Sequence, residues 1–202
     1  MIPPKNSNNS LLTIIMLIGL MLQTLTLQAQ KSILVSQLPN KGAFSLTNCT
    51  ILCDESDFIV VKKTANLLSN DIEEVTSKQP IVINKNPHGN VIIMGTLGKN
   101  RIIDQWVTEK KIDVSRIKGG WEQFIIKRLQ KPMAGVEQAL VIVGSDRRGT
   151  AYGAFTLSNA MGVSPWKWWA DVPVKKQSKL FVVNDFISKS PSVKYRGIFI
   201  ND

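Results

Sequence analysis

The apolar positions of this chain repeat with two periods, and the change from one to the other marks out its elements. Val61, Ala65, Leu68, Ile72 and Val75 recur three and four apart, with Asp71, Glu73 and Glu74 facing away, which predicts an amphipathic helix opening near Asp57. It should stop before Gln79-Pro80, because proline disfavours a helical residue ahead of it. Ahead of the helix, Ala43 to Leu46 and Thr50 to Cys53 are predicted as two short strands joined in an opening hairpin. Behind it, Ile81 to Ile83 and Val91 to Met94 are β-branched runs separated by a Pro/Gly/Asn turn. The second runs into Gly95-Thr96-Leu97-Gly98 and a short helix over Asn100 to Trp106. Glu122 to Leu129 alternates as a strand, Lys131 to Gly135 reads as a turn, and Ala139 to Gly144 is a plainly buried strand. A further helix then carries Tyr152, Phe155, Leu157, Ala160 and Met161 to a glycine stop at Gly162. The order predicts an α/β fold, a mixed β-sheet with packed helices.

The closing residues Arg196-Gly197-Ile198-Phe199-Ile200-Asn201-Asp202 form a strand apolar on both faces, with Arg196 and Asp202 on the same side. Such strands suit parallel sheets covered by helices, which carry functional groups at their carboxyl ends. Asn-Asp is equally good turn chemistry after a sandwich strand, so alternation alone leaves both readings open.

Leu11 to Leu22 is almost uninterrupted apolar sequence behind a single charge, Lys5, and has the form of a secretory h-region. Ala29 is the expected last residue removed, although Leu27 stands where a small residue is preferred. The run falls short of the ~20 residues that span a bilayer, so cleavage is favoured over anchoring, with no stable membrane insertion afterwards. The expected location is periplasmic or extracellular. The net charge of +10 falls to +9 without residues 1–29, and its basic pairs, such as Lys62-Lys63 and Arg147-Arg148, are scattered as on a solvated face. An exported chain of this pattern does not point to nucleic acid.

Cys49 and Cys53 would lie about 13 Å apart along one strand, too far to bridge, and are read as buried thiols. With His88 the single histidine, neither a metal-ligand cluster nor a Ser/His/Asp or Cys/His arrangement is present. The Gly95 to Gly98 loop lacks the lysine-hydroxyl ending of a P-loop and a full dinucleotide fingerprint, so it is read as a packing turn. No cofactor is expected. Beyond Gly162, the run Val163 to Val174 places Trp166, Trp168 and Trp169 within four positions between prolines. Clustered aromatics suit either a hydrophobic joint between domains or the faces of sugar rings.

Three segments carry a resemblance: Asp146 to Gly153 (DRRGTAYG), Gly162 to Pro173 (GVSPWKWWADVP) and Pro191 to Asp202 (PSVKYRGIFIND). In this order they resemble the front part of glycoside hydrolase family 115, the xylan α-1,2-glucuronidases. With the apolar segment read as a signal peptide over 1–29, the resemblance implies a non-catalytic α/β accessory domain over 30–188, and a linker with the first strand, from Tyr195, of a truncated (β/α)8 barrel over 189–202. It further implies inverting removal of (4-O-methyl-)glucuronic acid from glucuronoxylan, with both catalytic carboxylates beyond this chain, which would be inactive alone. Asp202, Asn201 and Arg196 are the expected substrate-binding residues, Arg196 for the sugar carboxylate or else in a structural ion pair. A homodimer of the full-length protein is also implied. Two alternatives are a free-standing carbohydrate-binding module and the front domain of a β-hexosaminidase-like barrel enzyme.

Overall fold

The computed structural model describes residues 33–197, all within one compact unit. The signal segment lies outside these residues, as do Ile198 to Asp202. Nine strands and four helices are described: β1 Val35–Ser36, β2 Phe44–Ser45, β3 Thr50–Cys53, α1 Ile59–Thr76, β4 Val82–Ile83, β5 Gly89–Thr96, α2 Arg101–Thr108, β6 Phe124–Met133, β7 Val136–Gly144, α3 Arg147–Met161, α4 Lys167–Ala170, β8 Phe181–Val182 and β9 Phe186–Ile187. Among them no helix is long and apolar enough to cross a membrane.

The main sheet runs β4-β3-β5-β7-β6-β9, parallel from β4 to β7 and antiparallel where β6 joins β7 and β9 joins β6. It is the mixed sheet expected, and alternation sorts its side chains to opposite faces. Ile51, Ile92, Met94, Leu140, Ile142, Phe124 and Ile126 share a core with Val61, Ala65, Leu68, Ile72 and Val75 of α1 and Ala154, Leu157 and Met161 of α3. Leu52, Val91, Ile93, Ala139, Val141, Val143 and Ile125 face the other way, onto Ile103 and Trp106 of α2 and Ile112, Val114 and Ile117 beyond it. At about 1.5–3 kcal/mol for each large side chain fully buried, these two layers are the main favourable contribution to stability.

The α1 periodicity is met residue for residue, and the helix closes at Ser77, three residues before Pro80. α3 ends with Gly162 in the left-handed region at φ 98°, as its position requires. The opening hairpin is not formed. β3 already has β4 on one edge and β5 on the other, both parallel, so β2 is excluded from it. β2 instead pairs antiparallel with β8, and β1 takes the other edge of β8, making a three-stranded sheet. Phe44, Leu46, Leu180 and Val182 turn inward from that sheet and extend the α1/α3 core. The expected turn over Lys131 to Gly135 narrows to Ala134-Gly135, because β6 continues through a bulge between Gln130 and Met133 that accommodates Pro132. Of the strand expected from Tyr195, residues 195–197 carry no strand pairing and Tyr195 is 87% exposed.

Both cysteines are free, and burial pushes each thiol from 9.0 up to about 12. A raised thiol pKa keeps the proton on in the folded state, so this contribution to stability is complete below about pH 9 and is lost as pH rises towards about 12. We expect a thiol-reactive dye at pH 8 to label Cys49 and Cys53 slowly in the native chain and rapidly in denaturant; equal rates would show the thiols to be accessible. Gly149 gives a second test. A Cβ there would stand 2.2 Å from the Gln123 backbone oxygen, which cannot rotate away. Gly149→Ala should gain about 1 kcal/mol of helix propensity and lose about 1–3 kcal/mol to overpacking. Urea unfolding should therefore show net destabilisation, and a stabilised variant would contradict the close approach.

Candidate functional site

The carboxyl ends of β3, β5 and β7 are where an open α/β sheet ordinarily receives a ligand. In this chain the protein's own polar groups occupy that edge. Asp57 is buried just ahead of α1, accepting from the Phe58 N–H at 2.7 Å through one oxygen and from the Thr96 N–H at 2.7 Å through the other. Thr96 and Thr150 hydroxyls lie 3.1 Å apart, and Thr150 donates to the Gly95 carbonyl. Asn100 caps α2 by accepting from the Ile103 N–H and donates to the Met94 carbonyl. The Gly98 N–H is taken by Asp104 Oδ1 at 2.9 Å, and a Cβ on Gly95 would collide with Asn100 and Ile103. The Gly95 to Gly98 loop is thus a packing turn whose Thr96 and Gly98 N–H groups are already taken by Asp57 and Asp104.

A second polar centre lies where the last described residues return to the sheet. Asp146 caps α3, accepting from the Arg148 and Gly149 N–H groups, while its other oxygen accepts from the Glu122 N–H at 2.7 Å. That contact holds Glu122 in the left-handed region at φ 55°, which is costly for a residue with a Cβ. The Glu122 side chain is buried. Arg148 approaches one of its oxygens at 2.9 Å, and Arg196 pairs with the other. Arg196 also donates to the Val193 carbonyl at 2.8 Å, and its guanidinium stands 5.7 Å from the Trp121 ring and 5.9 Å from the Tyr152 ring. Hydrogen bonding to Glu122 raises the pKa of Arg196 further, so it is a permanent cation.

Beside this clamp runs a groove of about 910 Å³ between the outer faces of α1 and α3. α1 supplies Leu67, Asp71 and Glu74, α3 supplies Phe155 and Ser158, and Arg196 stands in its wall. Burial pushes the Asp71 carboxyl up, partly offset by Ser158 and Lys167, while Glu74 pairs with Lys167. Trp166 is 62% exposed at the start of α4. The side chains of Trp168 and Trp169 lie outside the described part of the structure.

Of the substrate-binding residues expected from the sequence, Arg196 is described and sits on Glu122; Asn201 and Asp202 lie outside the described residues. Among the described residues no group of His, Cys, Asp or Glu could hold a metal ion. Sequence reading did not single out Glu122 or the groove. Glu122 carried one signal, a lone acid after Gly119-Gly120-Trp121 at the mouth of an apolar strand. The groove had none, since its residues come from four separate segments of the chain.

Neither a family model nor a curated protein matches this chain. Among solved structures, the family GH115 4-O-methyl-α-glucuronidase BtGH115A, described as having specificity for decorated arabinogalactans, aligns at 36% identity with a TM-score of 0.64. The alignment covers 78% of this chain and 20% of that one. The structure of CpGH84D aligns at 9% identity and a TM-score of 0.43 over 74% of this chain and 22% of that one, too loosely to carry an argument. This region of the chain is therefore homologous to part of a family GH115 glycoside hydrolase, of which it spans about a fifth.

Proposed function

We propose that the chain is the non-catalytic α/β accessory region of an exported α-glucuronidase, one that removes (4-O-methyl-)glucuronic acid side chains from glucuronoxylan with inversion. The observation that carries this reading is the 36% identity to a fifth of a GH115 4-O-methyl-α-glucuronidase. Inversion needs a carboxylic acid to protonate the leaving oxygen and a carboxylate to activate water on the other face, roughly 6.5–9.5 Å apart. Four of the described carboxylates are committed elsewhere: Glu122 to two arginines, Glu74 to Lys167, and Asp57 and Asp146 to backbone N–H groups. None of these four is free to serve as the acid or the base. Asn201 and Asp202 are proposed to line the sugar site of the longer enzyme through hydrogen bonds to hydroxyls. Arg196, held by Glu122, is the third candidate, as a partner for the substrate carboxylate.

A second substrate reading is favoured by the specificity stated for BtGH115A, which names decorated arabinogalactans. In both readings the sugar attacked at its anomeric carbon is a uronic acid and the leaving oxygen belongs to the polymer backbone, so the chemistry of the site is common to them.

Incubated with glucuronoxylan or a uronic-acid-decorated arabinogalactan, the 202-residue chain should release no uronic acid, whereas the longer product of the same gene should release it from at least one of them. Uronic acid release by the purified 202-residue chain would sink the accessory reading. A longer product inactive on both polymers would sink the glucuronidase reading.

A further inference from the structure

The groove between α1 and α3 differs from an ordinary solvated surface. Leu67 and Phe155, each 45% exposed, project from two packed helices into the same concavity, with Pro165 and Pro191 among its walls. Its polar lining holds a half-buried carboxyl: burial pushes Asp71 up, and the Ser158 hydroxyl beside it offsets this only in part. A carboxyl so placed has acceptor capacity left for a further donor.

The path of the chain indicates what arrives. Ser188 is tied to Phe124, accepting from its N–H at 2.8 Å and donating to its carbonyl at 2.9 Å. The following residues run along the groove, with Lys189, Pro191 and Arg196 all in its wall. The Arg196 pair with Glu122, with the guanidinium near the Trp121 and Tyr152 rings, then holds the last described backbone against the same rim. A polypeptide that continues the chain leaves the described residues at Gly197, next to the Arg196 that stands in this wall. The matched enzyme has four fifths of its length outside the aligned region, ample to cover an interdomain interface of about 600–1,500 Å².

We propose that the α1/α3 groove is the docking surface for the catalytic part of the same polypeptide, which seats an apolar side chain between Leu67 and Phe155 and donates a hydrogen bond to Asp71. This inference rests on the accessory reading above and adds where the two parts meet. The clamp at Arg196 fixes the direction of approach, and the Leu67/Phe155 pair supplies the contact.

The test compares Leu67→Glu with Phe155→Glu, combined, in two proteins. In the 202-residue chain the substitutions should leave Tm within about 2 °C, since both side chains face solvent there. In the longer gene product they should lower Tm, expose the junction near Pro191 to limited proteolysis, and cut uronic acid release on the order of tenfold or more through misplacement of the site. A milder Leu67→Ser, Phe155→Ser pair should move each readout in the same direction by less. Unchanged Tm, proteolysis and activity in the longer product would overturn the docking surface while leaving the accessory reading intact. An equal loss of Tm in the short chain would also overturn it, by showing the contact to be internal. Saturable binding of glucuronoxylan by the short chain, abolished by the substitutions, would make the groove a polysaccharide site instead. A reading frame that stops after codon 202 would remove both the occupant and the accessory reading.

Discussion

A central parallel strand has no face left for water, and this constraint organises the whole unit. β3, β5 and β7 are apolar on both sides, so the sheet needs one helical layer for Ile92 and Met94 and another for Val91 and Ile93. α1 and α3 form the first layer, and α2 with the loop after it forms the second. The edges are finished by polypeptide from far along the chain: β9 pairs with β6, and β8 bridges β1 and β2 beside the main core. Residues 180–188 are therefore an integral part of the fold.

The same economy applies to the polar groups at the carboxyl edge of the sheet. Helix starts carry unpaired N–H groups, and the N-cap positions of the three helices that follow β3, β5 and β7 are Phe58, Asn100 and Asp146. Asn100 and Asp146 satisfy such groups at α2 and α3 and also tie those helices to neighbouring residues, whereas α1 has no side-chain cap and Asp57 instead links the Phe58 and Thr96 N–H groups. The N–H groups of Thr96, Gly98, Ile103, Arg148 and Gly149 along this edge are thus taken by the protein's own side chains.

The Glu122 clamp and the neighbouring groove are where the structure departs from simple packing. A buried carboxylate with two arginines is not an efficient way to gain stability, since desolvating the charges offsets most of their attraction. Its effect is directional, because the Arg196 guanidinium reaches the Val193 carbonyl as well as the carboxylate. The left-handed backbone of Glu122 lies at the same point. Such local strain is expected where a fold is shaped by more than its own packing.

Local periodicity carried much of this architecture in the sequence. The three-and-four spacing from Val61 to Val75 determined α1 and its buried face, the β-branched runs determined β3, β5 and β7, and Asn100 and Gly162 marked helix ends through backbone chemistry that acts within one turn. The family resemblance was legible too, because its motifs are contiguous. The two-residue strands β1, β8 and β9 were not, since so short a run has no period and becomes a strand only when a partner supplies its hydrogen bonds. For the same reason β2 was read into a hairpin with β3, when the edges of β3 belonged to β4 and β5. The sequence by itself determined which faces of its long elements are apolar, a property of neighbouring residues. Only the tertiary structure decided that Arg196 reaches Glu122, 74 residues away, and that Leu67 and Phe155 share one groove, because such encounters depend on how distant segments pack.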